Sequence, residues 1–166
     1  MVLGFQIKRM NKADLQSAYS LIQDTIHVSY HDVYPPEAIQ FFEDYHSKRN
    51  IWNDAASGYG VVAESDDKEI VGTGIILGTN IRRVFVSPKH QHKGIGKSIA
   101  QELVRRALAE KLPALDLDSS LVSRVFWESL GFIVQKEDYI PVRNGKRLQY
   151  FRMAKTLADT DTSCAS

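Results

Sequence analysis

The stretch His90-Gln91-His92-Lys93-Gly94-Ile95-Gly96-Lys97-Ser98 holds the most suggestive chemistry in this sequence. Its last three residues, Gly96-Lys97-Ser98, are how a nucleotide-binding P-loop ends. A P-loop reads G-x-x-x-x-G-K-[ST], because its first glycine lets the backbone wrap the β-phosphate. Counting back from Gly96, that glycine belongs at position 91, where the chain has Gln91. Such a fold also needs a carboxylate for Mg²⁺ at the end of another buried strand. Leu115-Asp116-Leu117-Asp118 imitates one, but on a short strand, and the chain is small for a parallel-sheet nucleotide hydrolase. A nucleoside triphosphatase is therefore disfavoured, while the phosphate chemistry survives. An apolar strand ends at Val86, a tight turn follows, and two glycines open a long helix. Gly94 and Gly96 let the backbone approach a ligand closely, leaving N–H donors at a helix start with the dipole behind them, which is an anion site. His92, Lys93 and Lys97 add positive character. The plainer reading is a strand-to-helix turn with solvated lysines.

The rest of the chain sets the frame for that turn. At 166 residues and 43% hydrophobic it fits one soluble domain, expected over 1–157, with 158–166 as a flexible polar tail. Lys and Arg total 21 against 20 Asp and Glu, so charge gives no push toward nucleic acid or acidic lipid. Cys164 stands alone in the tail, so no internal disulfide can form, in keeping with a cytoplasmic location. Neither a signal peptide nor an apolar run of membrane-spanning length is legible. Phe5 to Met10 alternates like a strand. Leu15, Ala18, Tyr19, Ile22 and Ile26 recur at helical spacing over Lys12 to about Val28, capped by Asn11. Pro35-Pro36 opens a second helix, and 47–58 reads as a loop. Three strands in an antiparallel meander follow, Tyr59 to Glu64, Ile70 to Leu77 and Ile81 to Val86. A helix from Gly96 to about Lys111 leads to a short strand, Ala114 to Leu117. Ser120 to Leu130 reads as another helix, stopped by Gly131, before two final strands, Phe132 to Lys136 and Arg147 to Ala154.

Within this order of elements, Val84-Phe85-Val86-Ser87-Pro88 through Gly96 resembles the acetyl-CoA signature of GNAT-type N-acetyltransferases, an apolar strand ending V-x-P followed by [QR]-x-x-G-x-[GA] at a helix start. Gln91, Gly94 and Gly96 fall on the signature positions. Downstream, Phe126-Trp127-Glu128-Ser129-Leu130-Gly131-Phe132 looks like the family's F-Y-x-x-x-G-F. The resemblance implies an α/β (α+β) fold: a mixed, mostly antiparallel sheet with a central splayed parallel strand pair, flanked by about four helices. It also implies an acyl-CoA-dependent N-acetyltransferase. Acetyl-CoA would be the co-substrate without a metal, and acetyl would pass directly to a primary amine on a small molecule or peptide. The alternative is a catalytically weakened acetyl-CoA-binding module of the same fold. A monomer or homodimer is expected, with no nucleic-acid or membrane partner.

The same resemblance assigns positions. The pyrophosphate of the cofactor would sit on the amides of Gln91, His92, Lys93, Gly94, Ile95, Gly96 and Lys97, with Ser98 nearby. The pantetheine arm would lie along Val84, Phe85 and Val86, in the gap before the strand that starts at Ala114. Ser120 would replace the family's asparagine, and Phe126 would border the cofactor. The family's tyrosine acid is Trp127 here, and an indole N–H cannot serve as an acid. Trp127 is thus a packing residue beside the thioester or a plain core aromatic. The family's strand glutamate is absent from Ile81-Arg82-Arg83. Asp118 remains as a base, or as the cap of a helix beginning near Ser120. Glu64, His27, His31 and a water chain are further options. For the acceptor, Tyr30 and Tyr34 stand out, because Pro35 places them in a loop.

Overall fold

The computed structural model describes residues 4–157 of the chain. Cys164 and the tail 158–166 lie outside the described residues.

The first element, β1 (Phe5–Arg9), gives way to a 3₁₀ turn and then α1 (Leu15–Tyr30). Asn11 starts this segment with a reciprocal cap. Its side chain accepts from the Asp14 N–H at 3.2 Å, and the Asp14 carboxylate accepts from the Asn11 N–H at 3.0 Å. α2 (Pro36–Tyr45) begins on Pro36, as expected. The segment expected as a loop at 47–58 is instead α3 (Lys48–Ser57), with Ser47 accepting from the Asn50 N–H as N-cap. Its buried residues are Ile51 and Ala55, one turn apart, with Trp52 half-buried beside them. Such a narrow stripe is easily lost among Lys48, Arg49, Asn50, Asn53 and Asp54.

β2 (Tyr59–Ser65), β3 (Ile70–Leu77) and β4 (Asn80–Val86) form the expected meander. α4 (Ile95–Ala109) leads into β5 (Ala114–Ser120) and the short α5 (Arg124–Ser129). Here the expected helix over Ser120 to Leu130 is corrected. The strand runs on through buried Ser119 and Ser120, paired with Phe151 and Tyr150, and the helix starts only at Arg124. Serines that look like a cap in sequence are strand residues held by a neighbour. β6 (Ile133–Pro141) and β7 (Arg147–Thr156) close the fold as a long hairpin.

Among the described residues, seven strands lie in the order β1-β2-β3-β4-β5-β7-β6, all neighbours antiparallel except β4 and β5. Five α-helices among the described residues flank the sheet, one more than expected, because α3 was not legible. The period-two alternation divides the core between two faces. Val62 and Ile75 face α1, α2 and α3, packing with Ile22, Ile26 and Ile51. Val61, Ala63 and Ile76 face α4, packing with Ile95, Ile99 and Leu103. Because helices cover both faces, β2 and β3 are buried almost throughout, and the opening beside β4 and β5 is a partly open cavity.

Candidate active site

The turn between β4 and α4 has the geometry of an anion cradle. Gly94 caps α4 at φ +85°, and His92 sits at φ +63°. The first helical bond runs from the Ser98 N–H to the Gly94 carbonyl at 3.0 Å. Among the described residues, no amide N–H from Gln91 to Lys97 donates to another main-chain group. These are the unpaired donors of a helix start, with the positive end of the dipole behind them. Buried Ile95 anchors the turn, while His92, Lys93 and Lys97 are exposed around it. The Gln91 side chain is spent inside the protein, where its Nε2 donates to the Val86 carbonyl at 3.1 Å. Gly96 has a second reason to be glycine: a Cβ there would stand 3.3 Å from the Phe126 ring and 3.4 Å from Val86 Cγ2. Free donors, surrounding cations and a backbone without side-chain cover fit a diphosphate.

The sheet opens next to this turn. β4 and β5 pair only at Asn80 with Asp116 and at Ile81 with Leu117. Beyond Ile81 the strands diverge, so Val84 to Val86 have a partner strand on the β3 side alone. Buried main-chain groups without partners are costly, so a splayed pair like this invites a ligand that brings amides of its own. Phe85 points toward α1–α3, whereas Val84 and Val86 pack on the α4 side. A cavity of about 450 Å³ occupies the opening, reaching from Trp127 and Ser123 to the α1–α2 wall. Small-molecule pockets run from roughly 300 to 1,000 Å³.

A bulge in β4 shapes the cavity wall. The β3–β4 register shifts between Thr73 and Ile75, and Arg83 takes φ +55°. That left-handed conformation is uncommon for a bulky residue and is held by its surroundings. The Thr73 hydroxyl donates to the Arg83 carbonyl at 2.9 Å. The bulge turns both Arg82 and Arg83 toward α2 and α3, where the two share the Asp54 carboxylate, at 3.3 and 2.9 Å. Arg83 is 6% exposed; its Nη1 donates to the Tyr45 carbonyl at 3.2 Å and to His46 Nδ1 at 2.6 Å. Burial, reinforced by the adjacent guanidinium, pushes the His46 imidazole down to about 3, so it is a neutral acceptor for Arg83. Arg83 thus ties the end of α2 to β4. On α2, Phe41, Phe42 and Tyr45 form one wall of the cavity, and Phe42 meets Tyr30 edge-on at 4.9 Å.

Of the residues singled out from sequence, Val84, Phe85, Ser120, Trp127, Asp118 and Tyr30 all line this cavity. Tyr30 is the last residue of α1 rather than part of a loop, and burial pushes its hydroxyl above the ordinary tyrosine range, against a hydrogen bond with Ser120. Tyr34 lies outside the cavity lining. Its hydroxyl donates to the Gln149 carbonyl at 2.7 Å and accepts from the Leu121 N–H at 2.9 Å, a clasp between the α1–α2 turn and the ends of β5 and β7. Trp127 is 5% exposed and packs edge-on against Phe126 and Phe132, so it is at once a core aromatic and a cavity wall. Asp118 does not cap α5, which starts six residues later at Arg124. Its solvent-reachable carboxylate sits at the cavity, and the crowding of protein around it raises it above the usual carboxylate range, with Arg152 pulling the other way. Glu64 pairs with Lys8, His27 with Glu43 and His31 with Asp32, and none of the three lines the cavity. Sequence reasoning missed His46, Arg83 and Asp54, because the bulge that gathers them breaks strand alternation and α3 was hidden.

A family model described as an acetyltransferase (GNAT) domain matches residues 30–157, most of the chain. The chain belongs to the GNAT acetyltransferase family. That membership supports acyl-CoA-dependent acetyl transfer in general terms. Solved structures share the fold. A GCN5-related N-acetyltransferase of Rhodopseudomonas palustris superposes with TM-score 0.84 at 18% identity, over 95% of this chain and 99% of its own. The PaiA N-acetyltransferase of Thermoplasma acidophilum, solved with coenzyme A, gives 0.72 at 18% identity, over 93% and 99%. A ribosomal-protein-alanine N-acetyltransferase of Escherichia coli gives 0.68 at 17% identity, over 95% and 98%. At these identities the likeness is one of fold. No curated protein sequence matches this GNAT chain. Among the described residues no helix is long and apolar enough to cross a membrane.

Proposed function

We propose that this GNAT protein transfers an acetyl group from acetyl-CoA directly to a primary amine. The observation that carries the proposal is one juxtaposition: the unpaired amides of the glycine turn follow directly in the chain on Val84 to Val86, the strand end where β4 has parted from β5 beside the cavity. In this reading the amides of Gln91 to Lys97 hold the diphosphate, and Lys93 and Lys97 add charge. The free edge of Val84 to Val86 orients the acyl arm toward the cavity. The thioester supplies the acetyl group and a leaving thiolate. Trp127 shields the reacting carbon from water on the α5 side. Asp118 receives the ammonium end of the acceptor and takes its first proton, which frees the nitrogen lone pair; as the C–N bond forms and the C–S bond breaks, the nitrogen gives a second proton to water. The raised pKa of Asp118 makes it a better proton acceptor than an ordinary aspartate, and its open side lets the proton drain to water. The thiolate is reprotonated from solvent, since Trp127 has no acidic proton to give.

Release of free CoA thiol, followed across a panel of amines, tests this. Amine-dependent release above the uncatalysed rate supports transfer. Tight CoA binding with no release for any amine would favour the weakened binding module, whose motive is the tryptophan at the usual tyrosine position.

A further inference from the structure

The cavity offers more than room for an amine; its walls discriminate among amines. One wall is aromatic. Phe41, Phe42 and Tyr45 project from α2, and Tyr30 meets Phe42 at 4.9 Å. Phe41 and Tyr45 are nearly parallel, with 6.2 Å between ring centres and 11° between planes, and Tyr45 is 44% exposed, so flat apolar surface continues out to the rim. The charges of the cavity are unequal in what they leave open. Arg82 and Arg83 are both committed to Asp54. Arg152 faces Asp116, which also accepts from the Thr79 hydroxyl. Asp138, on the neighbouring strand, is paired with Lys136. Among the described residues, Asp118 is the carboxylate of this cavity with neither an ion pair nor a hydrogen-bond partner.

A lone unpaired carboxylate beside an aromatic wall selects by subtraction. A carboxylate-bearing amine, such as an amino acid, would find each arginine already engaged and would have to break a pair. A diamine or polyamine would bring its second cation into a cavity already lined by Arg82, Arg83 and Arg152, where Asp116 is occupied by Arg152 and Thr79. A single ammonium on a flat apolar body satisfies both walls, through charge at one end and through apolar and ring–ring contact at the other. We infer that the acceptor is a small monoamine with an aromatic body, its ammonium facing Asp118 and its ring lying against the Phe41–Phe42–Tyr45 wall. This rests on the acetyl-transfer reading above and narrows it.

The test is acetyl-CoA-dependent CoA release with four acceptors: 2-phenylethylamine, phenylalanine, putrescine and a short peptide with a free N-terminus. The expected order puts 2-phenylethylamine first, with kcat/KM at least tenfold above each of the others. Phe42→Ala should raise its KM about tenfold while leaving the KM for acetyl-CoA unchanged. Tyr45→Ala, at a 44% exposed position, should raise it severalfold, with circular dichroism confirming that both variants are folded. Faster turnover of phenylalanine, putrescine or the peptide would overturn the aromatic-monoamine assignment while leaving acetyl transfer intact. An unchanged KM in both variants would do the same. No release with any amine would remove the acetyl-transfer reading itself, and this inference with it.

Discussion

His46 gives the sharpest prediction, because its protonation is tied to a single contact. Its imidazole is 6% exposed and accepts from Arg83, and burial beside that cation pushes it down to about 3 from an ordinary 6.5. The unfolded chain therefore binds a proton at His46 in the window between about 6.5 and 3 that the folded chain refuses. Stability at His46 is complete above the unfolded value and is lost as the pH falls through this window. At pH 5, 1.5 units below 6.5, the loss is about 2 kcal/mol at about 1.36 kcal/mol per unit. That is a visible fraction of the roughly 5–15 kcal/mol that holds a domain together. His46→Asn keeps an acceptor near the Nδ1 position for Arg83 but cannot titrate. Urea unfolding of both proteins at pH 7 and pH 5 isolates the effect, since the carboxylates titrate alike in both. The wild type should lose about 2 kcal/mol more than the variant on acidification. Equal losses would mean that His46 carries a proton in the folded state, and the Arg83–His46 contact would have to be redrawn.

Other expectations follow from single contacts. Tyr34→Phe leaves the Gln149 carbonyl and the Leu121 N–H without their shared partner and should cost about 1–3 kcal/mol by urea unfolding; an unchanged midpoint would deny the clasp. Asp118→Asn should lower kcat/KM by roughly a hundredfold or more. In the wild type, activity needs the carboxylate deprotonated, so it should fall with pH through a value above the ordinary aspartate range. That acid limb should vanish in the variant, and a pH profile unaltered by the substitution would remove Asp118 from proton transfer. Trp127→Phe should retain at least part of the turnover number, because the ring packs and shields; complete loss with normal CoA binding would give the indole N–H a direct part.

How much of this was legible in sequence depended on whether local signals and tertiary contacts agreed. Val84 to Gly96 announced itself because a glycine turn between a strand and a helix writes its own constraint: Gly94 takes a positive φ, and Gly96 leaves the helix start without a side chain. The order of strands in the meander followed from short polar turns. The splay was expected only through family resemblance, since nothing local tells β4 and β5 to stop pairing after Ile81 and Leu117. Ser119 and Ser120 misled because their strand identity comes from β7, a partner thirty residues away. Tyr34 looked like a binding residue beside two prolines, yet its hydroxyl is consumed by main-chain groups distant in sequence. The Arg83, His46 and Asp54 cluster was invisible for a related reason. It exists only because a bulge reverses the side that a strand residue should face.

The central claim is that main-chain donors at residues 91–97 grip the diphosphate of coenzyme A. Calorimetric titration of CoA into wild type, Gly96→Ala and Gly96→Glu measures it most directly, with circular dichroism confirming that each is folded. A Cβ at this site needs only a few tenths of an ångström from Phe126 and Val86, so the alanine variant should bind within about tenfold of wild type. A carboxylate facing the phosphates should weaken binding at least a hundredfold, about 2.7 kcal/mol. A glutamate variant that is folded and binds CoA as tightly as wild type would place the phosphates elsewhere and contradict the account.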